Sequence, residues 1–520
     1  MRRLRSAVLG LLCLLSAPLA GRPADAANNL AGKIEAVINA PAYREGRWGI
    51  LVVDAKTGDT LYEHQADKLF LPASTTKLYS CAAALSALGA DRKYETPVYS
   101  RGTLTEGRLR GDLILVAQGD LTLGGRTGPD GRMAFKDHDH IYANGNNEAE
   151  VTDTDPLAGL KALAKQVAKE VRQVDGEVLI DDRLFAKSRG SGSGPDLLTP
   201  IVVNDNVVDV IITPAKEAGM PAVVSMRPET RFVQMDADVT TVAGGRTNVA
   251  LEAVGHQRFA VRGNIALDAK PLVRIYSVDE PSGFARALFI EALRRADIKV
   301  LEVDPKKAPT AKLPTGADVA KLPRVAVLQS APLSELLKVT LKVSHNLYAS
   351  TLPLLVAAEN GKRTLNEGLR LQRRFLADLG VEVSTISFGG GAGGANADSV
   401  TPRATAQLLR ALTRRSDFEA FRSGLPVLGV DGTLADAVPH DSPARGKVLA
   451  KTGTLFWYDA MNDRSVLRSK ALAGVLTTAQ GRELLVAIFV NDVPLPKGVT
   501  PTREGKALGR LCEIIYQQGP

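Results

Sequence analysis

Short apolar runs near both ends of the chain predict strands that flank a group of helices. Residues 49–54 form a run rich in β-branched side chains, and residues 60–62 would return after a turn at Lys56-Thr57-Gly58-Asp59. From Ser74 to Leu88 the apolar positions recur at helical spacing instead. The chain therefore opens with a strand pair that leads into a buried helix.

The last two hundred residues repeat these patterns in the reverse order. Helical spacing marks residues 333–349, 367–379, 401–414 and 504–516. Before the last of these, the pattern of residues 471–476 and 484–491 predicts a hairpin that turns near Gln480-Gly481. Strands at both ends with helices between them predict one α+β domain, split in sequence by the region in the middle.

The middle of the chain has a different pattern, in which short strand-like runs alternate with Gly-rich turns. Leu113–Val116 and Val207–Ile212 are two such runs. One amphipathic helix is clear, and its apolar face consists of Leu157, Leu160, Ala164, Val167 and Val171. Ser188–Pro200 is a flexible loop by composition, and Asp304–Pro323, with its prolines among Lys and Ala, is typical of a linker.

These patterns divide the chain into parts. We predict a discontinuous α+β domain of residues 27–100 and 324–520, interrupted by a β-rich region of residues 101–323 that consists of two small subdomains. Residues 1–26 are set apart from both.

The first residues have the pattern of an export signal. A basic start is followed by an apolar run from Ala7 to Ala20, which is too short to span a bilayer, and by a small-x-small site at Ala24-Asp25-Ala26. Leu12 precedes Cys13 where a lipoprotein signal needs a small residue. We predict a cleaved signal in residues 1–26 and an exported, periplasmic protein, soluble or loosely membrane-associated, with an uncut anchor as the alternative.

Composition changes this picture only slightly. The hydrophobic content of 45% and the charged content of 23% are typical of a soluble globular protein, and 5% aromatic residues give no sign of a stacking surface for single-stranded nucleic acid. The net charge of +8 suits an anionic polymer or, more simply, is spread solubilising charge. Cys81 and Cys512 make no disulfide framework; we expect Cys81 to be a buried free thiol, with a bridge to Cys512 left open.

The first of three short polar motifs is Ser74-Thr75-Thr76-Lys77, at the start of the first predicted helix. A spacing of three places Ser74 and Lys77 on one helical face. The helix N-terminus favours negative charge that develops on the serine, and a lysine held neutral by burial can act as its base. In isolation the motif is weak, and a capped helix with a surface lysine is the plainer interpretation.

The other two motifs lie in the second half of the chain. Ser344-His345-Asn346 offers a hydroxyl and an amide two residues apart, although an ordinary polar turn is the plainer interpretation. Lys451-Thr452-Gly453-Thr454 on an edge strand would offer a fixed cation and a hydroxyl to a substrate carboxylate, and Gly453 would let a substrate backbone approach closely. A β-turn is the plain alternative for this third motif.

In this order behind an export signal, the three motifs match the set S-x-x-K, S-D-N and K-T-G of β-lactamases and penicillin-binding proteins, except at His345. The chain resembles the class C low-molecular-mass penicillin-binding proteins, which are D-Ala-D-Ala carboxypeptidase/endopeptidases with domains inserted between the first two motifs. Residues 71–78 are similar to the nucleophile segment of that family, and residues 425–434 resemble its run before the third motif. Residues that resemble markers of the family's inserted region follow at Gly119-Asp120, at Gly176 with Asp181, and at Asn204-Asp205-Asn206.

The resemblance implies how the bond would be broken. Ser74 would attack the carbonyl between two D-Ala residues and form an acyl-enzyme, and Lys77 would take its proton. Ser344 would relay a proton to the leaving amine. The backbone N–H groups of Ser74 and Thr454 would form the oxyanion hole.

The resemblance also implies how the substrate would be held. Asn346 would bind the substrate amide, and Lys451 and Thr452 would bind the terminal carboxylate. Peptidoglycan peptides are then the expected partners and β-lactams the covalent inhibitors. No cofactor and no nucleic acid are expected, and a homodimer is allowed.

Two departures from the family pattern lead us to expect altered substrate preference or slower turnover. His345 stands where the family usually has Asp, and a cationic or bulky residue there would disturb Ser344 and Asn346. Gly390-Gly391-Ala392-Gly393 replaces a stretch that usually carries Asp and Ser. The alternatives are a β-lactamase-like hydrolase and a non-catalytic wall-binding or sensor protein that keeps the fold.

A run of alternating charges at Lys136-Asp137-His138-Asp139-His140 has the residue types of a metal site. It lies in a polar stretch without a further His or Cys nearby. We therefore predict a solvated loop here and no metal.

Overall fold

The computed structural model describes residues 23–192, 194, 196–300, 309 and 311–519, with side chains described from Asn29 onward. Residues 1–22 of the predicted export signal lie outside this part. The α-helices of the described residues are α1 (Pro23–Ile38), α2 (Thr76–Leu88), α3 (Ala158–Val167), α4 (Pro281–Arg295), α5 (Gly316–Val319), α6 (Leu333–Lys342), α7 (Asn346–Glu359), α8 (Leu365–Asp378), α9 (Pro402–Thr413), α10 (Phe418–Arg422) and α11 (Thr502–Gln518).

The strands of the described residues divide into a group from the two chain ends and a larger group from the middle. They are β1 (Arg47–Asp54), β2 (Thr60–His64), β3 (Glu95–Thr105), β4 (Arg108–Val116), β5 (Gln173–Val174), β6 (Val178–Asp181), β7 (Val207–Thr213), β8 (Val223–Arg227), β9 (Gln234–Val242), β10 (Asn248–Gly255), β11 (Arg258–Ala266), β12 (Leu272–Ser277), β13 (Lys299–Val300), β14 (Arg324–Gln329), β15 (Ile386–Ser387), β16 (Ser399–Val400), β17 (Val448–Asp459), β18 (Arg464–Thr477) and β19 (Glu483–Pro494).

One antiparallel sheet joins the two ends of the chain in the strand order β17-β18-β19-β1-β2. Ile50 of β1 pairs with Ile488 of β19. Because alternate side chains of a strand point to opposite faces, Ile50 and Val52 enter the apolar cluster with α1 and α11, whereas Leu51 and Val53 enter the cluster with the other helices. Helices cover both faces of the sheet, which explains why β1 is a continuous apolar run.

Helix α2 lies at the centre of the second face and packs against α6, α7 and α8. Every residue from Thr76 to Leu85 is buried, as expected for a helix that is surrounded on all sides. The single helix predicted for residues 333–349 is wrong in one respect. The chain forms α6 and α7 instead, and Ser344 between them has φ +63°, which no helix residue adopts.

The middle of the chain forms the predicted β-rich insertion. Its largest sheet has the order β13-β5-β4-β3-β14, with β6 paired to β4, and smaller sheets contain β7, β8 and β12 or β9, β10 and β11. Helix α3 carries the predicted apolar face, whereas α4, which packs on α3, was not predicted. The structure thus has a mixed α+β fold with an inserted β-rich region. Strand β3 crosses the predicted boundary at residue 101 and β14 follows the one at residue 323, so where the inserted region begins and ends stays a prediction.

Three further expectations concern single features of the chain. Cys81 and Cys512 are both free, and they are buried in different apolar clusters. Residues 304–308 and 310 of the predicted linker lie outside the described residues. Within the part of the chain that the structure describes, no helix is long and apolar enough to cross a membrane.

Candidate active site

Ser74 lies in a 3-10 turn, Ala73–Thr75, that runs directly into α2. Ala73 has φ +46°, a conformation that residues with a Cβ rarely adopt. Leu71, three residues before Ser74, is held by the sheet, because Leu71 N donates to Asn491 Oδ1 at 2.7 Å and Ser469 Oγ donates to Leu71 O at 2.6 Å. The sheet and the helix layer thus fix the serine in one position.

Lys77 is fully buried one turn after Ser74. Its Nζ lies 2.7 Å from Ser74 Oγ, 2.7 Å from Asn346 Oδ1 and 2.9 Å from Ala392 O. Burial lowers the pKa of Lys77 to about 7. A neutral amine has two N–H groups and one lone pair, so it can donate to Asn346 and Ala392 while it accepts the proton of Ser74. This is the geometry of a nucleophile and its base.

Ser344 and Asn346 lie on either side of the break between α6 and α7. The Lys451 Nζ donates to Ser344 Oγ at 2.9 Å, while Asn346 contacts the other buried lysine, Lys77. Tyr142, from the inserted region, donates to Ser344 O at 2.6 Å. The second motif therefore connects the first motif to the third, and the inserted region supports it from behind.

His345 does not have the effect on the site that was expected. Its ring stacks on Tyr348, with centroids 3.7 Å apart and planes at 13°, and its Nδ1 accepts from Tyr348 N at the start of α7. Its Nε2 lies 3.4 Å from Asp205 Oδ1 of the inserted region. Burial holds the pKa of His345 below its usual value, so the ring is neutral near pH 7. The side chain is thus a packed, uncharged support and not a cation between Ser344 and Asn346.

A buried charge cluster of Arg126, Asp139, His140, Asp205 and Asp209 lies behind the second motif. Arg126 donates to Asp139 and Asp205 at 2.6–2.8 Å, and the two ring nitrogens of His140 lie beside Asp205 and Asp209. Burial alone would lower the pKa of His140, but the carboxylates raise it to about 10. Burial would likewise raise the pKa of Asp205, which the Arg126 charge holds well below its usual value.

This cluster corrects the expectation of a solvated loop at residues 136–140. Asp139 and His140 are only 1% and 2% exposed. Together with Asp205 they offer three possible ligand atoms within 4.8 Å of one another. The Arg126 guanidinium, however, already donates to both carboxylates, so the cation of this cluster is the arginine itself.

The third motif lies on β17, an edge strand as predicted. A Cβ on Gly453 would approach Ser74 N to 3.0 Å and Pro72 O to 2.6 Å, so only glycine lets the strand pass this close to Ser74. Lys451 is fully buried, and burial together with the charge of Lys77 holds its pKa well below the usual value. An incoming carboxylate would relieve this unfavourable burial.

Lys470 on β18 is a site residue that the sequence did not reveal. Its Nζ donates to Thr454 Oγ1 at 2.9 Å, which leaves the Thr454 hydroxyl hydrogen free to point elsewhere. Burial lowers the pKa of Lys470 to about 8. The pairing of Thr454 with Lys470 across two strands could be found only once the register of the hairpin was known.

The Gly-rich stretch packs against the catalytic helices. A Cβ on Gly391 would lie 1.9 Å from Ala349 O, and a Cβ on Gly393 would lie 1.8 Å from Ala73 O. The glycines therefore let the carbonyl of Ala392 reach Lys77. Asp398 anchors both ends of the stretch, because its carboxylate accepts from the flanking Gly389 N at 2.7 Å and Ala395 N at 3.0 Å.

Residues 30–507, which include all three motifs, match the profile of the D-Ala-D-Ala carboxypeptidase 3 (S13) family. The chain belongs to this family. It is 29% identical over 511 residues to a D-alanyl-D-alanine carboxypeptidase of Actinomadura sp., which covers 94% of this chain and 85% of the relative. It is 25% identical over 461 residues to the D-alanyl-D-alanine carboxypeptidase DacB of Haemophilus influenzae, over 85% of each chain.

The fold of this carboxypeptidase-family chain is similar to a crystal structure of penicillin binding protein 4 (dacB) from Haemophilus influenzae. The TM-score is 0.70 at 20% identity, and the match covers 93% of this chain and 99% of the other. The similarity shows the fold, and the family profile with the two related carboxypeptidases confirms the low-molecular-mass penicillin-binding family that the motifs indicated.

Proposed function

We propose that this S13 family member is a serine D-Ala-D-Ala carboxypeptidase/endopeptidase that acts on peptidoglycan peptides through an acyl-enzyme, with β-lactams as covalent inhibitors. The observation that supports this best is the position of Lys77 Nζ, 2.7 Å from both Ser74 Oγ and Asn346 Oδ1. A wall-binding protein without activity would have no need for a buried lysine of lowered pKa beside a strained serine turn. Family membership also disfavours the β-lactamase-like alternative.

In the first step, neutral Lys77 takes the hydroxyl proton of Ser74 as Oγ bonds to the carbonyl carbon between two D-Ala residues. The carbonyl oxygen becomes an oxyanion, which the N–H groups of Ser74 and Thr454 stabilise. The closeness of Gly453 to Ser74 N supports this pairing of donors. Asn346 is placed to bind the amide of the residue before the scissile bond.

In the second step, the carbon–nitrogen bond breaks and the leaving amine needs a proton. Ser344 can supply it, and the 2.9 Å contact with Lys451 offers a route by which the hydroxyl regains one. The carboxylate of the leaving D-Ala would lie beside Lys451 and Thr452. A water molecule then attacks the ester carbonyl, and the bond from that carbon to Ser74 Oγ breaks. Lys77 returns its proton to Oγ, and the proton lost by the water replaces the one that Lys451 supplied through Ser344.

The test is covalent labelling by a fluorescent penicillin, followed by an assay of D-Ala release from a pentapeptide that ends in D-Ala-D-Ala. We expect a labelled band for the native protein and none for Ser74→Ala. Ser86→Ala, on the same helix but away from the motifs, is the matched control and should label normally. A well-folded native protein that neither labels nor releases D-Ala would exclude the proposal.

Three finer points belong to the same proposal. The chain would act after export to the periplasm, the inserted region would span residues 101–323, and the protein would form the homodimer that the resemblance allows. The predicted signal in residues 1–26 supports the first point. Signal cleavage in an expressing cell, limited proteolysis at the boundaries and sedimentation velocity would test the three points in turn.

A further inference from the structure

The hairpin of β17 and β18 extends beyond the third motif and exposes large apolar side chains. Phe456, Trp457 and Tyr458 are 57%, 67% and 56% exposed, and Met461 in the turn is 91% exposed. Clustered exposure of this kind is typical of a binding surface. The aromatic residues begin only two positions after Thr454, so this surface continues the catalytic strand.

The outer edge of this strand is open beyond the third motif. Ala450 N donates to Pro426 O, and in the described part of the chain no strand pairs with β17 on that side after this point. An open edge accepts an extended peptide as an additional strand. The stem peptide of the substrate is such a segment.

The proposed roles fix the direction of that peptide. Its terminal carboxylate lies toward Thr452 and its scissile carbonyl lies at Ser74 and Thr454, so the part before the scissile bond runs onward past residue 456. About four extended residues separate the scissile bond of a wall peptide from its sugar, and they span roughly 13 Å. Four residues of β17 after Thr454 cover the same length and reach Tyr458.

The charges at the hairpin tip favour a neutral partner. Asp459 lies 3.6 Å from Arg464, and Asp463 pairs with Lys497 and accepts from Tyr458 OH. Each acidic group thus has a cationic neighbour, and no basic excess is left to attract an anionic lipid surface. Four side chains also fall short of the roughly 800 Å² per partner that a standard protein interface buries.

Successive side chains of a strand point to opposite faces, so Trp457 lies on the face of Lys451 and Gly453, whereas Phe456 and Tyr458 lie on the other face. We propose that Trp457 forms a platform for the sugar rings of the peptidoglycan glycan strand that carries the substrate peptide. The proposal rests on the proposed function and extends the same site. Aromatic rings offer a large apolar face with a polar rim, which suits the apolar face and hydroxyl rim of a sugar ring. The enzyme would then recognise a wall peptide by both of its ends.

The experiment compares D-Ala release from two substrates, a free stem pentapeptide and the same pentapeptide linked to its disaccharide. For the native protein we expect kcat/KM to favour the disaccharide form. In Trp457→Ala that advantage should fall by about tenfold, whereas the double variant Phe456→Ala/Tyr458→Ala, which alters the other face of the strand, should keep it. Met461→Ser, at the turn beyond the reach of the sugar, is the control and should keep the advantage.

Each other outcome overturns the platform. The platform would be excluded if the native protein showed no preference for the disaccharide form. It would also be excluded if kcat/KM of Trp457→Ala fell equally for both substrates, which would make this aromatic residue structural. Binding to phosphatidylglycerol vesicles that Met461→Ser abolishes would assign the hairpin to a lipid surface. Failure of penicillin labelling and of D-Ala release from both substrates would instead overturn the proposed function, and the platform with it.

Discussion

Two groups of buried basic side chains lie on opposite sides of the second motif, and they differ in the charges that surround them. On the cleft side, Lys77 and Lys451 are fully buried, and the partners of their amines in the described residues are hydroxyl, amide and backbone oxygens. Behind the motif, Arg126 and His140 are buried with three carboxylates. Burial lowers the pKa of both lysines, whereas the carboxylates raise that of His140 to about 10.

The difference predicts two tasks for buried basic residues, proton transfer on the cleft side and structural support behind the second motif. A buried cation without a counter-charge gives up its proton easily, which is what a base must do. A buried cation inside a ring of carboxylates keeps its proton and fixes the geometry around it. Replacing members of the two groups should therefore affect different quantities.

The largest expected effect comes from Lys77→Met, which keeps the length of the side chain and removes the amine. Acylation by a fluorescent penicillin should slow by about a thousandfold, because general-base catalysis is lost. The free energy of unfolding in urea should not decrease, since a poorly solvated amine is replaced by an apolar group. A variant that is destabilised but still acylates would contradict the comparison.

The same comparison predicts the pH profile of the native protein. With a pKa of about 7, Lys77 is mostly protonated at pH 6 and mostly neutral at pH 8. The acylation rate should therefore rise across this range and level off above it. A rate that falls from pH 6 to pH 8 would exclude Lys77 as the base.

The second effect in size is a loss of stability in Arg126→Met. Removal of the guanidinium leaves Asp139 and Asp205 buried without their cation, which costs about 3–5 kcal/mol in urea unfolding. Arg126→Lys should lose less, because it keeps the charge. The control is Arg108→Met, which breaks an ion pair whose arginine side chain is 54% exposed and should cost less than about 1 kcal/mol. Equal losses in Arg126→Met and Arg108→Met would mean that the cluster is not a support.

The smallest effect is a change of slope in the stability of the native protein at alkaline pH. The pKa of His140 is raised from 6.5 to about 10, so its stabilising contribution is fully present below pH 6.5 and is lost as the pH rises through 10. One proton gives at most about 1.4 kcal/mol per pH unit. His140→Gln should flatten this slope in urea unfolding, while His256→Gln, an exposed control, should retain it.

The sequence predicted what depends on local spacing. Ser74 and Lys77 share one helix, so their closeness follows from a spacing of three, and the strands and helices of the chain ends fall near their expected bounds. The structure also brings Ser344, Asn346 and Lys451 to the same place. Their roles in the reaction stay a prediction.

The sequence did not predict what depends on contacts between distant segments. Asp139 and His140 are charged residues in a polar stretch, and only Arg126 and Asp205, at a separation of 79 positions from each other, make their burial favourable. The orientation of His345 toward Asp205 likewise needs the inserted region in place. The break at Ser344 was missed because the residues on both sides of it favour a helix.

The contact of Leu71 with β19 determines when, during synthesis, the segment around Ser74 can take up its final position. Leu71, three residues before the nucleophile, is held by Asn491, which lies 420 positions later. A ribosome would have to release nearly the whole chain before this contact could form, whereas the inserted region can fold earlier from its own residues. The segment around Ser74 is therefore completed late, and a chain truncated before Asn491 lacks this contact.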